Sequence, residues 1–280
     1  MINFTAQKYN MIQSITILGA GNVGLHLGKR LNAIGVRKLN IYARSYYDEF
    51  SAPELKSVIT LDKAVFDQKV DMMIIAIPDD HIQAVAKQIP DQGQLVVHTS
   101  GSTAMKVLDK FQRYGVLYPL QTFSKHRALD WDNIPLFLEG SDNQTQQVLL
   151  EFAGNISRHC RTIDSAERKR LHISAVFVSN FVNHMIALGK DIADEQNVDF
   201  ALFYPLIKET IAKIMAGDPA KAQTGPAIRN DQLTIEKHLQ ALNDHEMIRE
   251  LYAIISQSIY RKSTDDQPGH DLPEAEHTGG

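Results

Sequence analysis

A doubly wound, mainly parallel α/β domain followed by an all-α domain is the architecture the sequence predicts, on three observations. Short β-branched runs alternate with amphipathic stretches through the first half of the chain. One of those runs, Val70 to Ile77, is almost wholly apolar, as a central strand covered on both faces must be. From about Ala166 to Arg261 the strand signals fade and long stretches with helical spacing take over. The predicted domains are therefore residues 11–163 and 164–262, with a polar tail, 263–280, expected to be disordered.

Each element has its own local reason. Ser14 to Leu18 is a β-branched run closed by Gly19, a buried strand. Asn22 to Ile34 places Val23, Leu27, Leu31 and Ile34 at helical spacing, and Gly35 stops it. Lys38 to Ala43 is a second strand; Pro78 ends the Val70 to Ile77 strand. A helix over Asp80 to Ile89, a strand over Gln94 to Thr99 and a helix over Ser102 to Tyr114 follow, then strands at Gly115 to Tyr118 and Leu136 to Leu138. Beyond the junction near His159 to Ser165, helices are expected over Leu171 to Gln196, Ala201 to Ala216, Thr234 to Leu242 and Asp244 to Tyr260.

Composition narrows the function. The 280 residues are 44% hydrophobic and 22% charged, with a net charge of -4, so no basic field exists to hold nucleic acid or an anionic membrane. The single cysteine, Cys160, forms no internal disulfide, which suits a reducing compartment. Residues Met1 to Asn10 lack the apolar core expected of a signal peptide, and no apolar run long enough for a bilayer is expected, so the expected location is the cytoplasm.

Gly19, Gly21 and Gly24 form G-x-G-x-x-G directly after a strand and at the start of a helix, the context in which this triplet binds a dinucleotide. This is the Rossmann arrangement. Gly19 makes the tight turn, Gly21 admits the pyrophosphate to the backbone, and Gly24 lets helix pack on strand. Ala20, Asn22 and Val23 complete the loop. An acid about 20 residues on would accept from the ribose 2′-OH of NAD; Arg44 and Ser45 occupy that zone instead. A guanidinium pairs with a 2′-phosphate, so NADP is the expected cofactor. Ile77, Pro78 and Ser100 follow later strand ends, where ligands of open α/β sheets bind.

The stretches GAGNVG (Gly19 to Gly24), HTSGS (His98 to Ser102), YPLQTF (Tyr118 to Phe123), FLEGSD (Phe137 to Asp142), SNFVNH (Ser179 to His184) and TGPAIRND (Thr224 to Asp231), in that order, carry a family resemblance. The chain resembles pyrroline-5-carboxylate reductase-like and ketopantoate reductase-like Rossmann proteins. Among them it is similar to a Rossmann-like NADP oxidoreductase family with a C-terminal helical domain of unknown function. The resemblance implies an NADP domain, a helical domain and a homodimer formed through the helices; it implies no particular substrate. It also implies that the Ser-Gly turn touches substrate and that the helix from Leu171 carries an acid/base group and an Asn. Similar sequences often have His-Pro where this chain has Tyr118-Pro119, which weakens any proton-shuttle role at that position.

The candidates on the substrate side are Ser100, His172 and Asn180 for chemistry, and Ser102, Asn183 and Arg229 for substrate binding. Imidazole titrates near neutrality, so His172 is the expected proton donor; Arg229 suits an anionic group. His172, Asp231 and His238 lack metal-ligand spacing, and no metal is expected. The predicted function is hydride transfer between NADP and a small carbonyl, imine or alcohol. The rival is a non-catalytic NADP-binding sensor or scaffold, which fold alone does not separate from an enzyme.

Overall fold

In the computed structural model the chain is described over residues 12–45, 53–124 and 127–265. It divides into two compact units, Met1–Val182 and Asn183–Gly280.

The first unit is built on eight strands among its described residues: β1 (Ser14–Leu18), β2 (Lys38–Tyr42), β3 (Ile59–Thr60), β4 (Met72–Ile75), β5 (Leu95–His98), β6 (Arg113–Pro119), β7 (Leu136–Gly140) and β8 (Cys160–Thr162). They lie in the order β3-β2-β1-β4-β5-β6-β7-β8. Every neighbouring pair is parallel except β6 with β7. Helices α1 (Asn22–Ala33), α2 (Asp79–Gln88), α3 (Asn143–Gly154) and α4 (Ser165–Ala175) complete the unit. Alternate strand residues feed two apolar layers. Ile15, Ile17, Met72, Ile74, Leu95 and Val97 pack with Leu27 and Leu31 of α1. Leu18, Met73, Ile75 and Val96 pack with Ile82 and Ala86 of α2. This two-sided burial is why the central strands read as continuous apolar runs. The strand order reverses between β1 and β4, so the carboxyl ends of those strands open the crevice where such sheets bind ligands.

Three differences from the sequence expectation concern local structure. The strand expected over Val70 to Ile77 is shortened to β4, because Pro78 sits at the boundary of α2. The helix expected over Ser102 to Tyr114 is a single 3-10 turn, Met105–Leu108, and β6 already begins at Arg113. Ser100 Oγ accepts the N–H groups of Ser102 and Thr103, at 3.1 and 2.9 Å, and bends the chain before an α-helix forms. Leu108 and Phe111, both buried, then fill the core from successive turns. β8 was not expected at all: its three residues are too few to show a period.

α4 continues through a π-helical turn, Val176–Phe181, into α5 (Val182–Glu195). The whole stretch Ser165–Glu195 is long and apolar enough, by length and composition, to cross a bilayer, contrary to the expectation that no such run exists. Glu167, Arg168, Lys169 and Arg170 crowd its start, and Arg168 is fixed inside the α/β unit, so the apolar window begins only after that charged turn.

The second unit consists of α5, α6 (Tyr204–Ala216), α7 (Gln232–Ala241) and α8 (Glu246–Asp265). Asp231 caps α7 by accepting from Thr234 N, and Pro205 enters α6 in its first turn. Among the described residues of this unit, Ala193, Ala227 and Ser256 alone are buried. Ser263 to Asp265, expected to begin the tail, close α8; the rest of the expected tail lies outside the described residues.

Candidate functional site

The glycine loop leaves β1 beneath the end of β4. Gly19 has φ +123°, a left-handed conformation that favours glycine, and a Cβ there would run into the Ala76 carbonyl and the Ile77 side chain. A Cβ on Gly24 would strike the Gly19 carbonyl, so helix and strand meet only because both residues lack side chains. Gly21 is different. It is the N-cap of α1; among the described residues no side chain caps the helix there, and a Cβ on it would meet nothing within 4 Å. The first turn of α1 therefore presents N–H groups and the positive dipole end to open space, the cradle an anionic pyrophosphate fits.

The loop residues divide their work. Ala20 and Val23 pack against the core. The Asn22 side chain donates to the Phe123 carbonyl at 2.9 Å, and His26 Nε2 donates to the Ser124 carbonyl at 2.9 Å. Both tie the chain after β6 to α1. Gly19 N–H donates to the Tyr42 carbonyl at 3.0 Å, which brings the end of β2 beside the loop. Arg44 and Ser45 lie just beyond, exposed. Ile77 packs at Gly19, and Pro78 precedes α2.

A second cluster sits at the end of β5. His98 is fully buried; its Nδ1 accepts from Ser100 N–H at 3.2 Å, so its hydrogen lies on Nε2, which has no hydrogen-bond partner among the described residues. Burial, with Arg168 nearby, pulls its pKa from 6.5 to about 4, while the Ala104 backbone and Asp79 pull weakly the other way. His98 is thus a neutral anchor of the Ser100–Gly101–Ser102 turn. Ser100 is buried and spends its hydroxyl holding that turn. Ser102 donates to the carboxylate of Asp79, the first residue of α2.

The turn carries the third element. Gly101 packs beneath His172 and Tyr118: a Cβ on it would lie 2.6 Å from His172 Nδ1 and 2.9 Å from Tyr118 Cζ. Tyr118 Oη is 3.0 Å from His172 Nδ1, with the rings edge to face at 5.8 Å. One turn before His172, Arg168 is 1% exposed, pairs with Glu139 on β7 and donates to the Thr103 carbonyl at 2.6 Å. Ser165 also donates to Glu139, at 2.8 Å. Arg168 thereby clamps α4 to the turn after β5 and sets the distance between His172 and Gly101.

The structure brings Ser100, Ser102, Tyr118 and His172 together. Ser179 and Asn180 fall in the π turn, half-buried and exposed respectively. A π turn carries one residue more than an α turn, so the even face expected from His172 through Ser179 to Asn183 is broken there. Asn183 and Arg229 belong to the helical unit, and both are exposed. Arg229 favours the charge of Asp231, after the two Thr234 hydrogen bonds that dominate, but makes no ion pair among the described residues. Sequence reasoning missed the Asp79–Ser102 contact and the Arg168–Glu139 pair. Asp79 reads as an ordinary first-turn acid, and Arg168 lies 29 residues from its partner.

Comparison with known proteins matches the Rossmann-like domain family to residues 5–123 and the domain of unknown function DUF2520 to residues 134–259. A Bacteroides fragilis protein assigned as an NADP oxidoreductase is 36% identical, over 90% of this chain and 99% of its own, with a TM-score of 0.80. A Thermotoga maritima protein is 22% identical, over 90% and 98%, with a TM-score of 0.65. A pyrroline-5-carboxylate reductase from Coxiella burnetii shares the fold at 15% identity, over 91% and 98%, with a TM-score of 0.53. No curated protein matches the chain.

Proposed function

The chain belongs to the family that joins a Rossmann-like domain to the DUF2520 domain, and from that premise we propose that it is an NADP-dependent oxidoreductase acting on a small carbonyl, imine or alcohol. One observation carries the reading. The open first turn of α1 and the Ser100–Gly101–Ser102 turn beneath His172 lie at the carboxyl edge of one parallel sheet, around its switch point. The name of the Bacteroides fragilis relative points the same way.

The loop from Gly19 to Gly24 would hold the pyrophosphate, Arg44 and Ser45 the 2′-phosphate, and Ile77, Pro78 and Ser100 the far side of the dinucleotide. Bound there, the nicotinamide supplies the hydride chemistry. The chain supplies orientation and a proton. His172 stands as the proton donor, with Ser102 and Asn180 as hydrogen-bonding groups; in the helical unit, Asn183 and Arg229 offer an amide and a guanidinium of the kind that bind polar and anionic substrate groups. A homodimer through the helical unit is part of the proposal. Its support is that Leu206, Met215, Met247 and Ile254 are each more than 60% exposed in the single chain. A cytoplasmic, soluble setting completes it.

Calorimetric titration with NADPH and then NADH tests the reading. NADPH is expected to bind more tightly, and Arg44→Asp to weaken it ~10- to 100-fold, the worth of a charge-assisted contact. Preference for NADH removes Arg44 as the selector; binding of neither ends the oxidoreductase reading. NADPH binding with no turnover on carbonyl or imine substrates favours the sensor instead. Full turnover in His172→Asn removes that residue as the donor.

A further inference from the structure

Tyr118 is buried, and its hydroxyl lies 3.0 Å from His172 Nδ1. A phenol and an imidazole can share one hydrogen in two ways, and which way decides which ring nitrogen faces a ligand. The surroundings choose. No other acceptor for the Tyr118 hydroxyl lies within hydrogen-bond distance among the described residues. If Nδ1–H donated to the phenol oxygen, the phenol hydrogen would be stranded in a buried site. Gly101 closes the same edge of the imidazole, since nothing larger than its hydrogen fits between the turn and Nδ1. Burial also pushes the phenol above its usual range, against a weaker pull from Arg168, so the oxygen keeps its hydrogen.

We propose that Tyr118 is a positioning residue that donates to His172 Nδ1, so that neutral His172 carries its hydrogen on Nε2 and presents a donor to the substrate. The consequence is chemical selection. The ligand atom facing His172 is an acceptor, a carbonyl oxygen or an unprotonated imine nitrogen, and an ammonium group is disfavoured there. This deepens the reading above and rests on it for the role of His172: the neutral ring holds the acceptor by a hydrogen bond, and a proton passes to substrate only from the doubly protonated ring. It also gives a function to the tyrosine that stands where similar sequences often carry His.

The test reads the ring directly, in the full chain without cofactor. Histidine side chains are labelled with 15N, His172 is assigned by its loss in His172→Gln, and its tautomer is measured at a pH where the ring is neutral. The Nε2–H form is expected to dominate in the wild type. In Tyr118→Phe, which keeps the ring and removes the hydroxyl, the ratio of tautomers is expected to fall ~5-fold, the worth of one ordinary hydrogen bond. A wild type dominated by Nδ1–H overturns the proposal, and so does a Tyr118→Phe spectrum unchanged from wild type, which is what a purely packing role produces. If Tyr118→Phe does not fold, the wild-type spectrum still decides the direction of the bond. Loss of NADPH binding would count against the oxidoreductase reading and leave the tautomer untouched, so the two failures are distinguishable.

Discussion

In the α/β unit Ile15, Ile17, Met72, Ile74 and Ile75 have no exposed surface, and Arg168 is sealed against Glu139; in the helical unit Leu202, Met215 and Leu233 are each more than 70% exposed, and the Lys190–Asp194 pair stands in solvent. The difference teaches where each unit gets its stability. The sheet buries both faces and completes a core from its own chain. The helices leave large apolar side chains exposed in the single chain, the surface that the proposed homodimer would cover.

The largest expected effect comes from breaking the buried pair. Arg168→Met leaves Glu139 buried with Ser165 but without its cation, and should cost about 3–5 kcal/mol of unfolding free energy in urea denaturation. Lys190→Met, at the exposed pair, should leave the midpoint unchanged. Equal effects would erase the contrast between the units.

Next is acid sensitivity. His98 stays neutral in the fold down to about pH 4, whereas its unfolded pKa is near 6.5. Its contribution is complete above 6.5 and is lost as the pH falls through that window, because the unfolded chain takes up the proton first. The loss by pH 4 is expected to reach about 3 kcal/mol. His98→Asn, which can still accept from Ser100 N–H, should flatten that slope in denaturation curves between pH 7 and 4. A slope unchanged by the substitution would place the acid sensitivity elsewhere.

The third measurement addresses the helices. Leu206→Glu is expected to raise the dimer dissociation constant ~30-fold or more in sedimentation equilibrium. In the wild type, melting of the helical unit, but not of the sheet, should depend on protein concentration, and the substitution should weaken that dependence. A wild type that sediments as a monomer with a concentration-independent melt would refute the homodimer.

Much of the α/β unit was legible because its signals are local. A β-branched run followed by glycines at the correct spacing forms β1, the turn and the start of α1 with no help from distant residues. The uninterrupted apolar run of β4 announces its own burial. The segment from Ser102 to Tyr114 was misread because its helical spacing is real, but Ser100 captures its first N–H groups. In the site, His172 could be picked out as an imidazole sharing a face with Ser179 on an otherwise apolar helix. Its partners could not. Tyr118 is 54 residues away, and Gly101 reads from sequence as turn punctuation, not as the surface on which His172 rests.

By itself, then, the sequence determined the class of the fold, the glycine turn into α1 and the positive charge just beyond β2, because glycine conformation, strand burial and residue charge act within a few residues of chain. Tertiary structure alone decided that His98 is a neutral anchor, that Arg168 fastens α4 to the turn after β5, and that Tyr118 meets the Nδ1 edge of His172. Those facts depend on which distant groups share a dry interior. Desolvation and hydrogen-bond pairing there are properties of the assembled sheet and helix, and no periodicity encodes them.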